Sequence, residues 1–319
     1  MTGLAKTALV IGATGGVGGA TADALLRRGW RVKALNRDPE TAARRSRLAG
    51  VDWVAGDAMV AADVVRAAKD ASIVFHGANP PGYRNWKGLA LPMLESSLSA
   101  AKASGARLIL PGTVYNYGPD AGDLVAEDAP QNPLTRKGAI RVAMERRIET
   151  SGVPALIVRA GDFFAPSSGN NWFAQGLVTP GKPLRAVTYP GAHDIGHQWA
   201  YLPDLAETFA RLLDREGELP SFARFHFGGH WLAPGVEMAE AIRRVAGKPD
   251  LPIRALPWFA LRLVAPFNET LREMMEMRYL WRRPLRMTND RLTAFLGAEP
   301  HTPLDDAVRA TLAGLKIPV

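Results

Sequence analysis

Residues 8–38 read ALVIGATGGVGGATADALLRRGWRVKALNRD: an apolar run, a cluster of glycines, a helical pattern, then a second apolar run. The glycines are the strongest constraint in the chain. Gly12, Gly15 and Gly18 stand three apart, after a strand expected over Ala8–Gly12 and before a helix expected over Gly18–Arg28, with Gly29 as its stop. The three differ in what they allow. One permits the tight turn, one lets backbone approach a pyrophosphate, and one lets helix and strand pack closely. The helix N-terminus adds unpaired N–H groups and a partial positive charge. The turn is therefore expected to hold a dinucleotide through Gly12, Thr14, Gly15, Gly16, Val17 and Gly18.

The second apolar run, Arg31–Leu35, leads into Asn36-Arg37. An acidic residue at this tip would bind the ribose 2′-hydroxyl of NAD. A neutral Asn36 followed by the guanidinium of Arg37 suits a 2′-phosphate instead. The expected cofactor is NADP, with NAD possible.

The alternation continues. Helices are expected over Pro39–Ala49, Ala61–Lys69, Leu89–Ser104 and Lys137–Thr150. Strands are expected over Val51–Ala55, Ser72–His76, Arg107–Leu110 and Ala155–Arg159, with one more over Arg224–Phe227. Short apolar runs between helical patterns predict an α/β fold, a doubly wound parallel sheet of the Rossmann type. After Phe164 the pattern turns irregular, regains helical order over Gln198–Arg215, and is mostly helical from Pro234. The expected organisation is a dinucleotide-binding domain over 1–164, to which 198–230 returns. A smaller, mostly helical substrate lobe comprises 165–197 and 231–319.

The 319 residues are enough for a full core. There is no cysteine, which excludes disulfides, thiolate metal sites and cysteine nucleophiles. No secretory pattern is read at the N-terminus, so the expected location is the cytoplasm. The most membrane-like segment, Ala255–Phe267, is too short to span and is interrupted by Arg262. No membrane partner is expected from it. A net charge of +8 favours anionic ligands. The one basic stretch with aromatics, Met277–Arg286, is short, so nucleic acid is not an expected partner.

Beyond these residues the chain resembles the extended and atypical short-chain dehydrogenase/reductases, relatives of the NAD-dependent epimerases and dehydratases, over most of residues 5–215. GATGGVG (Gly12–Gly18) is similar to their glycine loop. Gly56-Asp57 is similar to the end of their third strand, which implies that Asp57 and Ala58 lie at the adenine. FHGANPP (Phe75–Pro81) is similar to the segment along the cofactor ribose, implicating Ala78, Asn79 and Pro80. VRAGDFFAP (Val158–Pro166) resembles the stretch bordering the nicotinamide, implicating Ala160 and Phe163. LILPGTVYNYGP (Leu108–Pro119) resembles the fifth strand and its continuation, and QWAYLPDLAETF (Gln198–Phe209) a later block. The resemblance implies a small-molecule substrate and allows a homodimer.

Aligning Tyr117-Gly118 with the family's YG places Thr113 at the catalytic Ser/Thr position. The family then expects YxxxK, in which Tyr moves the proton while Lys holds the ribose and lowers the Tyr pKa. KGAIRVAME (Lys137–Glu145), anchored on Gly138 and Glu145, instead puts Lys137 at the Tyr position and Arg141 at the Lys position. Arg141 is expected to hold the ribose. Lys137 is expected to hold the ribose, donate a proton, or both, the latter only with a lowered pKa. Tyr115, Tyr117 and Tyr83 are alternative phenols.

His193 and His197 stand four apart, but Gly196 and Pro190-Gly191 argue for a loop, so no metal site is expected. Asp162 lies just past the sixth strand, as a ligand group or a turn cap. Met274, Met277 and Trp281 read as a core-facing stripe. Neither a nucleophile elbow nor a P-loop is present. The expected function is hydride transfer between NADP(H) and a small carbonyl, alcohol or sugar-type substrate. The alternatives are a cofactor-binding sensor without turnover, a sugar-nucleotide epimerase or dehydratase, and a nucleic-acid-associated relative.

Overall fold

The computed structural model describes residues 5–80, 85–167 and 171–318. The expected alternation forms as β1 (Thr7–Ile11), α1 (Gly16–Arg27), β2 (Arg31–Asn36), α2 (Pro39–Arg45), β3 (Val51–Ala55), α3 (Ala61–Ala67), β4 (Ile73–His76), α4 (Trp86–Ser104) and β5 (Arg107–Thr113). There follow β6 (Leu124–Val125), α5 (Arg136–Glu149), β7 (Ala155–Ala160), β8 (Asp162–Phe164), β9 (Val187–Tyr189), β10 (His197–Tyr201), α6 (Leu202–Asp214), β11 (Phe222–His226) and β12 (His230–Leu232). The chain closes with α7 (Glu237–Val245), β13 (Ile253–Ala255), α8 (Trp258–Val264), α9 (Glu269–Glu276), β14 (Arg286–Met287), α10 (Asp290–Leu296) and α11 (Leu304–Gly314).

Seven parallel strands form the main sheet in the order β3-β2-β1-β4-β5-β7-β11. The direction of winding reverses between β1 and β4, which opens a ligand crevice at the carboxyl ends of these strands. Alternate residues of β1 supply both faces. Ala8 and Val10 join α1 and α6 in one core, while Leu9 and Ile11 join α3, α4 and α5 in the other. Covered on both faces, β1, β4, β5 and β7 are buried along their whole length and are mostly apolar, with polar residues such as His76, Arg107 and Arg159 near their ends.

The stretch Gln198–Arg215 departs from the helical expectation. Its first residues belong to β10, which pairs with β8 and β12 in a separate three-stranded sheet, and the helix begins only at Leu202. Pro203 in the first turn is compatible with a helix start but not with a helix interior. Trp199 and Tyr201 are buried in a lobe core with Phe164, Phe173, Trp281, α7 and α11. Thus α6 and β11 pack on the main sheet, whereas β10 belongs to the lobe. Helix α4 begins three residues earlier than expected, at Trp86.

A buried chain of polar groups ties α5, β7 and β11 together. The Arg159 guanidinium donates to Glu145 through Nε (3.0 Å) and Nη2 (2.5 Å) and through Nη1 to the Tyr117 hydroxyl. Tyr117 faces His226 Nε2 at 2.5 Å, and His226 Nδ1 faces the Thr288 carbonyl at 3.0 Å. A proton on Nδ1 donated to that carbonyl leaves Nε2 to accept from Tyr117, so the imidazole is neutral. Burial, with Arg159 adding to it, pushes His226 down to about 3; burial, with Arg141 adding, does the same to His76.

Both histidines therefore resist protons that the unfolded chain takes up below its ordinary value of 6.5. Their contribution to stability is complete above pH 6.5 and is lost as the pH falls toward about 3. By pH 5 the loss is about 2 kcal/mol per imidazole. Thermal denaturation should show Tm dropping between pH 7 and pH 4, with a shallower drop in His76→Gln. A parallel drop in that variant would count against the assignment.

Candidate active site

The glycine turn joins β1 to α1 at the reversal of the sheet. Gly12 has φ +91°, and a Cβ on it would sit 2.5 Å from the Gly77 carbonyl oxygen at the end of β4. A Cβ on Gly18 would overlap the Gly12 carbonyl oxygen. These contacts are backbone on backbone, so no side chain can swing away to relieve them. Gly15 is the N-cap of α1 and supplies no side-chain cap, which leaves the first amides, at Gly16, Val17 and Gly18, without intrahelical partners. Thr14 and Gly15 are exposed. Uncapped amides in a turn with no room for Cβ atoms fit a pyrophosphate.

At the next strand end, the Asn36 side chain accepts from the Asp38 amide at 2.9 Å. Asp38 turns its carboxylate into α2, accepting from the Thr41 amide at 3.0 Å, a bond that holds the carboxyl below its ordinary range. Arg37 is exposed and has no ion-pair partner among the described residues. Asp57 follows β3 and accepts from the Met59 amide at 2.9 Å, with Ala58 partly exposed beside it. Beyond β4, Ala78 is partly exposed, Asn79 exposed and Pro80 buried. Tyr83 lies outside the described residues.

Thr113 ends β5, paired in register with Ala160 at the end of β7. Its hydroxyl makes a long contact, 3.4 Å, to Asn116 Oδ1. Ala160 is fully buried and Phe163 partly so. Helix α5 presses Gly138 onto the loop after β5, where a Cβ would overlap the Tyr115 carbonyl oxygen. This close approach fixes the positions of Lys137 and Arg141, one turn apart on the helix. Lys137 is 2% exposed, with Nζ 3.5 Å from Glu273 Oε2 of α9 and 5.9 Å from the Trp86 ring centroid. Its pKa is lowered by burial, against the raising effect of Glu273. Arg141 lies over the same ring at 5.0 Å, and its Nη1 is 3.4 Å from the Pro111 carbonyl.

A second constellation lies immediately beside Thr113. Asp162 Oδ2 is 2.9 Å from His197 Nε2, and the half-buried Tyr115 hydroxyl lies 3.4 Å from Asp162 Oδ1. His197 stacks on Trp281 with centroids 3.8 Å apart. His197 thus begins a strand and faces Asp162, apart from His193, which is consistent with reading this stretch as non-helical. Among the described residues no group of three or more His, Asp or Glu side chains is arranged to hold a metal ion. Tyr117 is sequestered, its hydroxyl pushed up to about 12 by burial against the lowering effect of Arg159. The partners Glu273 and Trp86 were not visible as site residues in the sequence.

A doubly wound parallel sheet with an uncapped glycine turn at its reversal defines a dinucleotide-binding α/β protein. The NAD(P)H-binding family matches residues 12–181, more than half of the chain, and the chain belongs to that family. A 3-diazoavenalumate denitrifying reductase from a Streptomyces species is 28% identical over 176 residues, which are 50% of this chain and 57% of the relative. That match thus spans less than two thirds of the reductase. Among solved structures, the enzyme WbmH of Bordetella bronchiseptica in complex with NAD+ has a TM-score of 0.69 at 20% identity, over 98% of this chain and 99% of that one. UDP-glucuronic acid 4-epimerase from Bacillus cereus, with UDP-glucuronic acid and NAD, has a TM-score of 0.73 at 15% identity, over 97% and 99%. At these identities the structural likeness speaks for the fold alone.

Gly18→Ala should lower Tm and weaken NADPH binding by about tenfold or more, because backbone must shift. Gly217→Ala, where an added Cβ meets nothing within 4 Å, is the matched control. Calorimetric titration giving the same NADPH Kd for both variants would remove the glycine turn as the cradle.

Proposed function

We propose that the protein is an NADP(H)-dependent oxidoreductase acting on a small carbonyl, alcohol or sugar-type substrate. The observation that carries this reading is the placement of a cradle without Cβ space at the sheet reversal, with Thr113 and the Lys137–Glu273 pair at the carboxyl edge of the neighbouring strands. The family match and the reductase relative support it.

When bound, the nicotinamide cofactor supplies or accepts the hydride. Binding, orientation and proton movement fall to the chain. The amides of Gly16, Val17 and Gly18 bind the pyrophosphate, and Arg37 pairs with the 2′-phosphate, while Asp38 directs its carboxylate to the Thr41 amide of α2. Thr113 donates to the substrate oxygen. Lys137 gives that oxygen its proton as the carbonyl carbon receives hydride, burial having made the ammonium more acidic. Arg141, held over Trp86, contributes positive charge on the ribose side. A second reading has one specific observation in its favour: Tyr115 is a half-buried phenol 3.4 Å from the Asp162 carboxylate, and the Asp162–His197 pair offers it a route for replacing a proton.

Two measurements follow. Arg37→Ala should weaken NADPH about tenfold while leaving NADH nearly unchanged, since one charge-assisted fork to phosphate is lost; an unchanged Kd ratio would refute the 2′-phosphate role. In NADPH consumption assays across a carbonyl panel, Lys137→Met should lower kcat by about a hundredfold or more with little change in NADPH Kd. A large loss in Tyr115→Phe, with Lys137→Met active, would transfer the proton role to the phenol. Tight NADPH binding with no turnover of any carbonyl would instead mark a sensor.

A further inference from the structure

The segment Ala255–Phe267 takes no part in the function proposed above. Its centre forms α8, followed by a 3-10 turn over Ala265–Phe267. Trp258 and Ala265 anchor it inward, and Trp258 Nε1 donates to the Pro190 carbonyl at 2.7 Å. The outward side carries Phe259, 78% exposed, Leu263, 62%, Val264, 50%, and Phe267, 90%. Isolated exposed apolar residues are ordinary, but four large ones within nine positions, two of them phenylalanines near full exposure, form a contiguous patch that calls for a partner.

The surrounding charge says what kind. Residues 254–286 hold seven arginines and three glutamates, and no lysine or aspartate. All three acids are engaged toward the sheet domain. Glu269 accepts from the Asn85 amide, Glu273 faces Lys137 and Arg136, and Glu276 faces Arg136. Among the described residues, Arg262, Arg272, Arg278 and Arg282 have no carboxylate partner, and they line one hollow of about 830 Å³ against α8 and its turn, whose one lining acid, Glu276, is paired with Arg136. Arg278 lies over the Trp258 ring at 5.1 Å; burial, and then repulsion from Arg282 and Arg262, lowers its pKa. The apolar patch is thus rimmed by positive charge that the fold leaves uncompensated.

We propose that this face seats on an anionic bilayer surface, with Phe259, Leu263, Val264 and Phe267 entering the acyl boundary and the arginines level with the lipid phosphates. A short amphipathic helix of this kind lies in the interface and does not span. The juxtamembrane potential of anionic lipid supplies what the arginines lack. A second copy of the chain fits less well: a two-fold contact through the same patch would set this arginine rim against itself. The inference is independent of the oxidoreductase reading, since it needs neither cofactor nor substrate.

The test uses the full chain with sucrose-loaded vesicles of phosphatidylcholine alone or mixed with phosphatidylglycerol. The protein should co-sediment with the mixed vesicles at least about tenfold more tightly than with phosphatidylcholine, and added salt should release it. The double variant Phe259→Asp, Phe267→Asp should lose about tenfold or more of the binding, and Arg262→Gln with Arg282→Gln should abolish the preference for anionic lipid. Unchanged NADPH binding and far-UV circular dichroism would show that the variants are folded, as expected for such exposed positions. Failure of the wild-type chain to sediment overturns the proposal, as does equal sedimentation of the aspartate variant. A dimer mass by light scattering that becomes monomeric in that variant assigns the face to a second copy and also overturns it.

Discussion

The structure turns on a backbone approach that tolerates no Cβ. The Gly12, Gly18 and Gly77 backbones meet where β1, α1 and the end of β4 converge. Because Gly18 sits against the Gly12 carbonyl, α1 starts close to the sheet, and its free amides face the crevice at the reversal. Gly16 in the same turn lies against Leu202, the first residue of α6, so the seating of α1 also fixes α6. Helix α6 follows β10 directly, and β10 carries the lobe's small sheet. One steric constraint thus runs from the glycine turn to the small sheet that follows the carboxyl end of β7.

At that end the fold relies on buried charge. Glu145 and Arg159 are almost wholly buried and are linked to Tyr117 and His226. Such a pair contributes little net stability relative to apolar packing, but removing one partner strands the other, at a cost of about 3–5 kcal/mol. It therefore fixes α5 and β7 in one arrangement, which holds Thr113 in register with Ala160 and aims Lys137 at α9. Lys137 and Glu273 join α5 to α9 through charge, and Lys137 and Arg141 both rest on Trp86, the first residue of α4. The Lys137–Glu273 pair thus links two distant parts of the chain.

Much of this was legible because it is local. The glycine turn, the alternation and the strand ends rest on short-range rules, and the sheet strands appear within a few residues of where the pattern puts them. Helix α5 also appears within one residue of its expected ends, with Gly138 packed against Tyr115 and Glu145 buried. The failures arise where distant residues decide. β10 carries apolar residues that suit a helix as well as a strand; pairing with β8 and β12 settled the choice, and Pro203 marked the true start of α6. His193 and His197 share a helical spacing, yet His197 belongs to Asp162, 35 residues away, and Lys137 to Glu273, 136 residues away. No local pattern announces such partners.

About half of the chain's cations are paired with nearby carboxylates. Arg28 is shared between Glu207 and Asp214, Arg147 takes Glu95, Arg215 takes Glu218, and Arg244 takes Glu237 and Asp305. Pairs of this kind are worth little individually at the surface. Cations without a carboxylate partner among the described residues are spread over the surface, Lys102, Arg146, Arg185 and Arg254 among them. Two of the places where this is so lie beside features that suit an anion: Arg37 at the tip of β2, near the glycine turn, and the hollow under α8. Under the two proposals they take different anions: a phosphate of the cofactor at the first, and at the second a surface of many phosphates that also accepts apolar side chains.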